Sequence, residues 1–99
     1  MSIEAVAVNC AAFNDVDGAE SEPRETLAVN AFAVQSLAAV ATEIRATLIH
    51  YSSDFVFDGE ATSPYAEVDE PNPQGVYATS KLLGEWFAAE TPMHYVIRV

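Results

Sequence analysis

Two short apolar runs, residues 3–10 and 47–53, flank a stretch in which Leu27, Ala31, Val34, Leu37, Ala38, Ala41 and Ile44 recur at three- and four-residue steps. That recurrence lays one apolar stripe along a helix over residues 24–44. Pro23, just ahead of it, suits a first helical turn, where the missing N–H is not needed. A long helix between two strands is a crossover. It returns the chain to the start of the sheet, so the strands it joins lie parallel, with a right-handed connection. The pattern then repeats. A second helix is expected from residue 75 or 76 to 89, stopped before Pro92, and residues 95–99 read as a third strand. The order strand, helix, strand, helix, strand predicts an α/β fold: half of a doubly wound sheet. Its three parallel strands fall near 4–10, 46–52 and 94–99, with crossover helices on opposite faces. Residues 13–18 read as a loop by composition. Residues 54–72 read as a long irregular stretch, with turn signals at Asp58-Gly59, Ser63-Pro64 and Pro71-Asn72-Pro73.

The 99 residues suffice for one small domain, and an apolar fraction of 51% argues for a packed core. Fifteen acidic against four basic residues give a formal net charge of -11. Such a surface repels phosphate backbones and anionic lipid, so nucleic-acid and membrane-surface roles are not expected. A single cysteine, Cys10, excludes an intrachain disulfide and any multi-cysteine metal site. At the end of an apolar run it reads as a buried small hydrophobe in a reduced, cytoplasmic setting. The first ten residues lack a basic segment and contain Glu4, so they do not read as a signal peptide. No apolar run reaches membrane-spanning length. His50 and His94 lie in expected strands without a partner motif, and Glu67, Asp69 and Glu70 read as a solvated loop, so no metal site is assigned.

Tyr77 and Lys81 stand four apart on the second helix, one turn from each other on one face. Gly84 and Ala88 continue that face and would permit close packing, while Leu82, Leu83, Trp86 and Phe87 flank it and can fill a core. A free phenol titrates near ~10, too high for ready proton exchange at neutral pH, and a neighbouring ammonium favours the phenolate. Such a pair can give a proton to a carbonyl oxygen or take one from an alcohol. Ser53 closes the second strand, and in open parallel sheets ligands bind beyond the carboxyl ends of the strands. A strand-end hydroxyl beside a helical Tyr and Lys is what carbonyl reduction by hydride transfer needs. The Tyr-x-x-x-Lys spacing alone is a weak signal, since any amphipathic helix can carry it.

The wider context is specific. Residues 51–59, Tyr-Ser-Ser-Asp-Phe-Val-Phe-Asp-Gly, resemble the Ser-Thr-Asp-Tyr-Val-Phe-Asp-Gly segment of the dTDP-4-dehydrorhamnose reductase family. Asn72-Pro73, residues 76–82 and Gly84-Glu85 are similar to that family's catalytic-helix segment. Residues 9–17, Ala19-Glu20-Ser21-Glu22-Pro23 and Val29-Asn30-Ala31 match in the family's order and at compatible spacings. The resemblance implies a partial Rossmann sheet binding NADPH or NADH. It implies Tyr77 as general acid, Lys81 orienting the nicotinamide ribose, and Ser53 binding the keto group. It places Ala11, Ala12 and Phe13 against the cofactor, and Val16, Ser53, Asp54 and Phe55 against a sugar-nucleotide. Asn30 matches a helix asparagine of the family and reads equally well as a buried amide that only supports the helix. Ser53 and Phe55 stand where the family more often has Thr and Tyr. The serine keeps its hydroxyl, whereas the phenylalanine removes one sugar contact.

None of Gly18, Gly59, Gly75 and Gly84 forms a Gly-x-Gly-x-x-Gly turn, where a dinucleotide's pyrophosphate would meet backbone amides. Residues 1–99 are therefore expected to be the central part of an NAD(P)-binding domain, without the N-terminal Gly-rich unit or the C-terminal substrate region. The implied activity is reduction of dTDP-4-dehydro-L-rhamnose by the complete enzyme, a homodimer. The alternatives are another sugar-nucleotide epimerase or dehydratase, and a dinucleotide-binding regulatory subunit like that of methionine adenosyltransferase.

Overall fold

The computed structural model describes residues 5–57 and 74–99. Strands β1 (Val6–Asn9), β2 (Thr47–Ser52) and β3 (His94–Arg98) form one sheet in the order β1-β2-β3. Both pairs are parallel, with Val6 opposite Thr47 and Leu48 opposite His94. The expected strands and their direction hold. The turn signals at Asp58-Gly59, Ser63-Pro64 and Pro71-Asn72-Pro73, and the acidic group Glu67, Asp69 and Glu70, lie outside the described residues.

The first crossover has more structure than its periodicity implies. A short helix α1 (Val16–Ser21) occupies much of the expected loop. Asp15 caps it, its Oδ1 accepting from Gly18 N at 2.9 Å. The Asn, Asp and Gly that read as a loop are also the residues that start helices, which is why composition misled here. Helix α2 (Pro23–Leu27) has Pro23 in its first turn, as expected, and runs through a π-helical turn (Ala28–Phe32) into α3 (Ala33–Glu43). At its end Arg45 takes a left-handed conformation (φ 59°), and Ala46 N donates to Ala41 O at 2.8 Å. This arrangement usually employs glycine. After β2, Asp54–Val56 form a single 3-10 turn, and α4 (Gly75–Ala88) follows the span expected for the second helix.

The helices do not take opposite faces. Val34, Ala38 and Ala41 from α3, Ala88 from α4, Leu48 from β2 and Ala46 form one core, with Ala7 and Val96 packed against it. All lie on one side of the sheet. The reason is topological: the chain steps across β1, β2 and β3 in a single direction, and two right-handed crossovers taken in the same direction fall on the same face. Among the described residues nothing packs over the other face, with Val6 59% and Tyr95 66% exposed and Val8, Tyr51 and Ile97 exposed beside them. The first run is thus not a strand buried on both sides. Cys10 is exposed rather than buried, because it continues the alternation of Val6 and Val8 toward that exposed face. Ile44, past the end of α3, and Trp86, on the outer side of α4, are exposed as well. Leu82 is buried, and Leu83 and Phe87 are half-buried.

Candidate active site

The site forms where β2 ends and α4 begins. Ser53 leaves the strand in an extended conformation, and its Oγ accepts from Phe55 N at 3.0 Å, capping the 3-10 turn. That turn places the Phe55 ring edge-on to the Tyr77 ring, with centroids 5.7 Å apart and planes at 82°. Tyr77, in the first turn of α4, is buried to 9% exposure, and Ser53 is also buried. Lys81 follows one turn later. Its Nζ donates to the backbone carbonyl of Tyr51 at 3.0 Å, two residues before Ser53. Burial lowers the pKa of the Lys81 ammonium, opposed by the charge of Glu85. The three expected catalytic residues lie around one strand end: Ser53 and Tyr77 each contact Phe55, and Lys81 is fixed to the Tyr51 carbonyl.

Glu85 in turn is held by Arg98 of β3, whose guanidinium donates to both carboxylate oxygens at 2.7 and 2.9 Å and lies 5.0 Å over the Phe57 ring. The hydrogen bond to Glu85 raises the pKa of Arg98.

The start of α4 depends on a residue that periodicity does not single out. Gln74 makes no side-chain cap, and the Val76 N–H is met instead by Glu20 of α1, whose Oε1 accepts at 2.6 Å. Gly75 has φ +86°, a conformation that side chains disfavour, and a Cβ there would meet the same carboxylate. Glu20 thereby ties α1 to the turn of α4 that carries Tyr77.

A second polar tie runs from the end of β1. Ala11 is exposed, while Ala12 and Phe13 are half-buried. Phe13 N donates to Asn30 Oδ1 at 2.8 Å, and Asn30 Nδ2 donates to Phe13 O at 3.1 Å and to Ser80 Oγ at 3.1 Å. Ser80 Oγ donates to the Tyr77 carbonyl at 2.6 Å. Asn30, fully buried in the π turn, therefore does more than support its own helix: it links the segment beyond β1 to the helix of Tyr77. Ser80 escaped the sequence reading, although its position three residues after Tyr77 puts it on the same face. At Gly84, α4 crosses this π turn so closely that a Cβ would collide with the Asn30 carbonyl oxygen, which explains the small residue there.

Val16 and Asp54 are exposed, and among the described residues neither is hydrogen-bonded to the Tyr77 group. Asp54 N donates to the Val99 carbonyl at 3.1 Å. Among the described residues no group of three or more His, Cys, Asp and Glu side chains could hold a metal ion, and no helix is long and apolar enough to cross a membrane.

A parallel sheet carrying a hydroxyl at one strand end, beside a helix with a buried Tyr and Lys one turn apart, is the arrangement of the short-chain dehydrogenases/reductases. The model of the RmlD substrate binding domain family matches residues 2–99, and the chain belongs to that family. It is 52% identical over 84 residues to a dTDP-4-dehydrorhamnose reductase of Mycobacterium tuberculosis (strain ATCC 25618 / H37Rv), a match covering 81% of this chain and 28% of that protein. A crystal structure of a dTDP-4-dehydrorhamnose reductase from Clostridium acetobutylicum superposes with a TM-score of 0.92 at 41% identity, over 94% of this chain and 34% of that one. The Bacillus anthracis enzyme, solved in complex with NADP, gives 0.91 at 32% identity, over 94% and 34%. The chain thus spans about a third or less of the length of these relatives.

Proposed function

We propose that residues 1–99 are the central part of an NAD(P)-binding Rossmann domain, in a protein that reduces the 4-keto group of dTDP-4-dehydro-L-rhamnose. The observation that supports this reading is that Ser53 and Tyr77 both contact Phe55 at the end of β2, with the Lys81 ammonium held to the Tyr51 carbonyl. The strand-end segment Ala11–Phe13, exposed at Ala11 and half-buried beyond it, and the buried Lys81 fit the nicotinamide end of NADPH or NADH. The pyrophosphate has no Gly-rich turn within this sequence. When bound, the cofactor supplies a hydride to the keto carbon.

The rest falls to this chain's own residues. Ser53 Oγ donates to the keto oxygen and aligns it. Tyr77 Oη gives its proton to that oxygen as negative charge develops there, and the Lys81 ammonium supports the phenolate left behind. Phe55 packs against Tyr77 and, with Val16 and Asp54, borders the sugar-nucleotide. The complete protein is cytoplasmic and homodimeric, and does not act on nucleic acid.

The test is single-turnover hydride transfer to the sugar-nucleotide in the complete enzyme. Tyr77→Phe should slow it roughly 10²–10⁴-fold, the range of a lost general acid, while leaving cofactor affinity nearly unchanged. Reduction at the wild-type rate would show that Tyr77 is only packing.

A further inference from the structure

On the helix-covered face of β2, His50 is buried and takes no part in the proposed reduction, yet it is wired toward the segment beyond β1. Ala11 N donates to Asn9 Oδ1 at 3.3 Å. A backbone N–H can only donate, so the oxygen of the Asn9 amide must face Ala11. The amide nitrogen then faces His50, and donates to its Nδ1 at 3.1 Å. A ring nitrogen that accepts carries no proton, so the imidazole proton resides on Nε2. Asn9 lies directly opposite His50 in the β1–β2 register, which brings the two side chains together on one face. Burial first, and then the charge of Lys81, lower the pKa of His50 to about 4, with Glu85 opposing. Nδ1 therefore remains an acceptor at neutral pH. Nε2 lies near Gly84 and has no hydrogen-bond partner among the described residues, and an imidazole with one buried nitrogen unmatched fills this place less well than an apolar side chain of its size. What His50 contributes here is its bond at Nδ1.

We propose that His50 is a positioning residue that holds the Asn9 amide in one orientation and so fixes the backbone at Ala11, where the cofactor-lining segment begins. The ligand rests on the reductase reading; the relay does not. Asn9 is the last residue of β1, and its bond to Ala11 N turns the chain off the end of the sheet. Without an acceptor at position 50 the amide can rotate, and Ala11 loses its fixed partner. The segment's other anchor, Asn30, holds Phe13 two residues further on.

The experiment uses the 99-residue chain, labelled with 15N, as wild type and as His50→Asn, His50→Gln and His50→Leu. An Asn side chain reaches the place of Nδ1, a Gln side chain reaches that of Nε2, and Leu supplies no acceptor. The wild-type imidazole should be neutral, with its proton on Nε2, from about pH 5 to pH 8. Exchange of the Ala11 amide should stay near the wild-type rate in His50→Asn and rise roughly tenfold in His50→Gln and His50→Leu, about the effect of one hydrogen bond. A proton found on Nδ1, or equal Ala11 exchange in the Asn and Gln variants, overturns the proposal. The tautomer measurement needs no variant, so an unfolded Leu variant leaves the test intact. No readout involves turnover, so failure here leaves the reductase reading standing, and failure of hydride transfer leaves the relay standing.

Discussion

Replacing Gly84 with alanine should destabilise the chain, against the usual effect of that change in a helix. In an exposed helix interior, Gly→Ala stabilises by about 1 kcal/mol. At position 84 the added Cβ would collide with the Asn30 backbone carbonyl and come within 3.4 Å of His50 Nε2. The obstacle is backbone, inside the π turn, and cannot rotate away. Relief requires moving α4 off that turn, which loosens the core around Ala88 and Leu48. Overpacking of this kind costs about 3 kcal/mol at the upper end of its common range. Offset by the propensity gain, this leaves a net loss of about 2 kcal/mol. With a urea dependence of about 2 kcal/mol per molar, the unfolding midpoint followed by far-UV circular dichroism should fall by about 1 M. Gly18→Ala is the control. The atoms nearest its Cβ all belong to the Asp15 side chain, which can swing aside. The lost cap and the gained propensity, each about 1 kcal/mol, nearly cancel there. A midpoint for Gly84→Ala equal to or above that of the wild type would refute the close approach of α4 to the π turn.

Four further outcomes can be measured. Arg45→Gly should raise stability by about 1 kcal/mol, because the left-handed conformation at the end of α3 is strained for a side chain and free for glycine; thermal melting reads this. For His50, the folded pKa of about 4 lies below the ordinary imidazole value of 6.5, so between these pH values the unfolded chain binds the extra proton and stability falls as pH falls, by up to about 1.4 kcal/mol per pH unit. His50→Asn should lose that part of the slope in urea titrations at stepped pH, and an unchanged slope would exclude a buried neutral imidazole. In the complete enzyme, Lys81→Met should weaken both turnover and cofactor affinity, Ser53→Ala should slow hydride transfer roughly ten- to a thousandfold, and Ser53→Thr should be tolerated. Calorimetry of the 99-residue chain with NADH and NADPH should detect no sub-micromolar binding, since its sequence holds no pyrophosphate turn.

The strands, their direction and the two long helical spans were legible because each rests on a repeated signal. A stripe such as Leu27, Ala31, Val34 and Ala38 leaves little choice but a helix packed along one side. Which side of the sheet receives it is not a property of the stripe. It follows from strand order, and that order depends on pairings between residues such as Val6 and Thr47, far apart in sequence. Val and Ala in residues 5–8 suit a covered or an open face equally, so the exposure of Val6, Val8 and Cys10 could not be read before the order was known. Helix α1 was hidden for the opposite reason. Six residues are too few to show a period, and its cap, Asp15, is also a loop residue.

The candidate site divides along the same line. Tyr77 and Lys81 announce themselves by spacing, and Ser53 by its place at a strand end, because these positions follow from local geometry. The groups that hold them in place do not. Asn30, Ser80 and Glu20 act through hydrogen bonds to partners from 3 to 56 residues away. A buried amide or imidazole that satisfies the backbone looks, in a sequence, like one that happens to sit on a helix or strand. The difference appears only when the partner is known. For Asn30 the partners are both backbone groups of Phe13 and the Ser80 hydroxyl, itself bonded to the carbonyl of Tyr77. Both backbone groups of Phe13 would lose these partners if the amide were removed, and a buried unmatched group costs about 1–3 kcal/mol. The segment beyond β1 and the first turn of α4 are therefore held in one geometry by the same side chain. That is what a reaction between a ligand lying on the one and a phenol carried by the other requires.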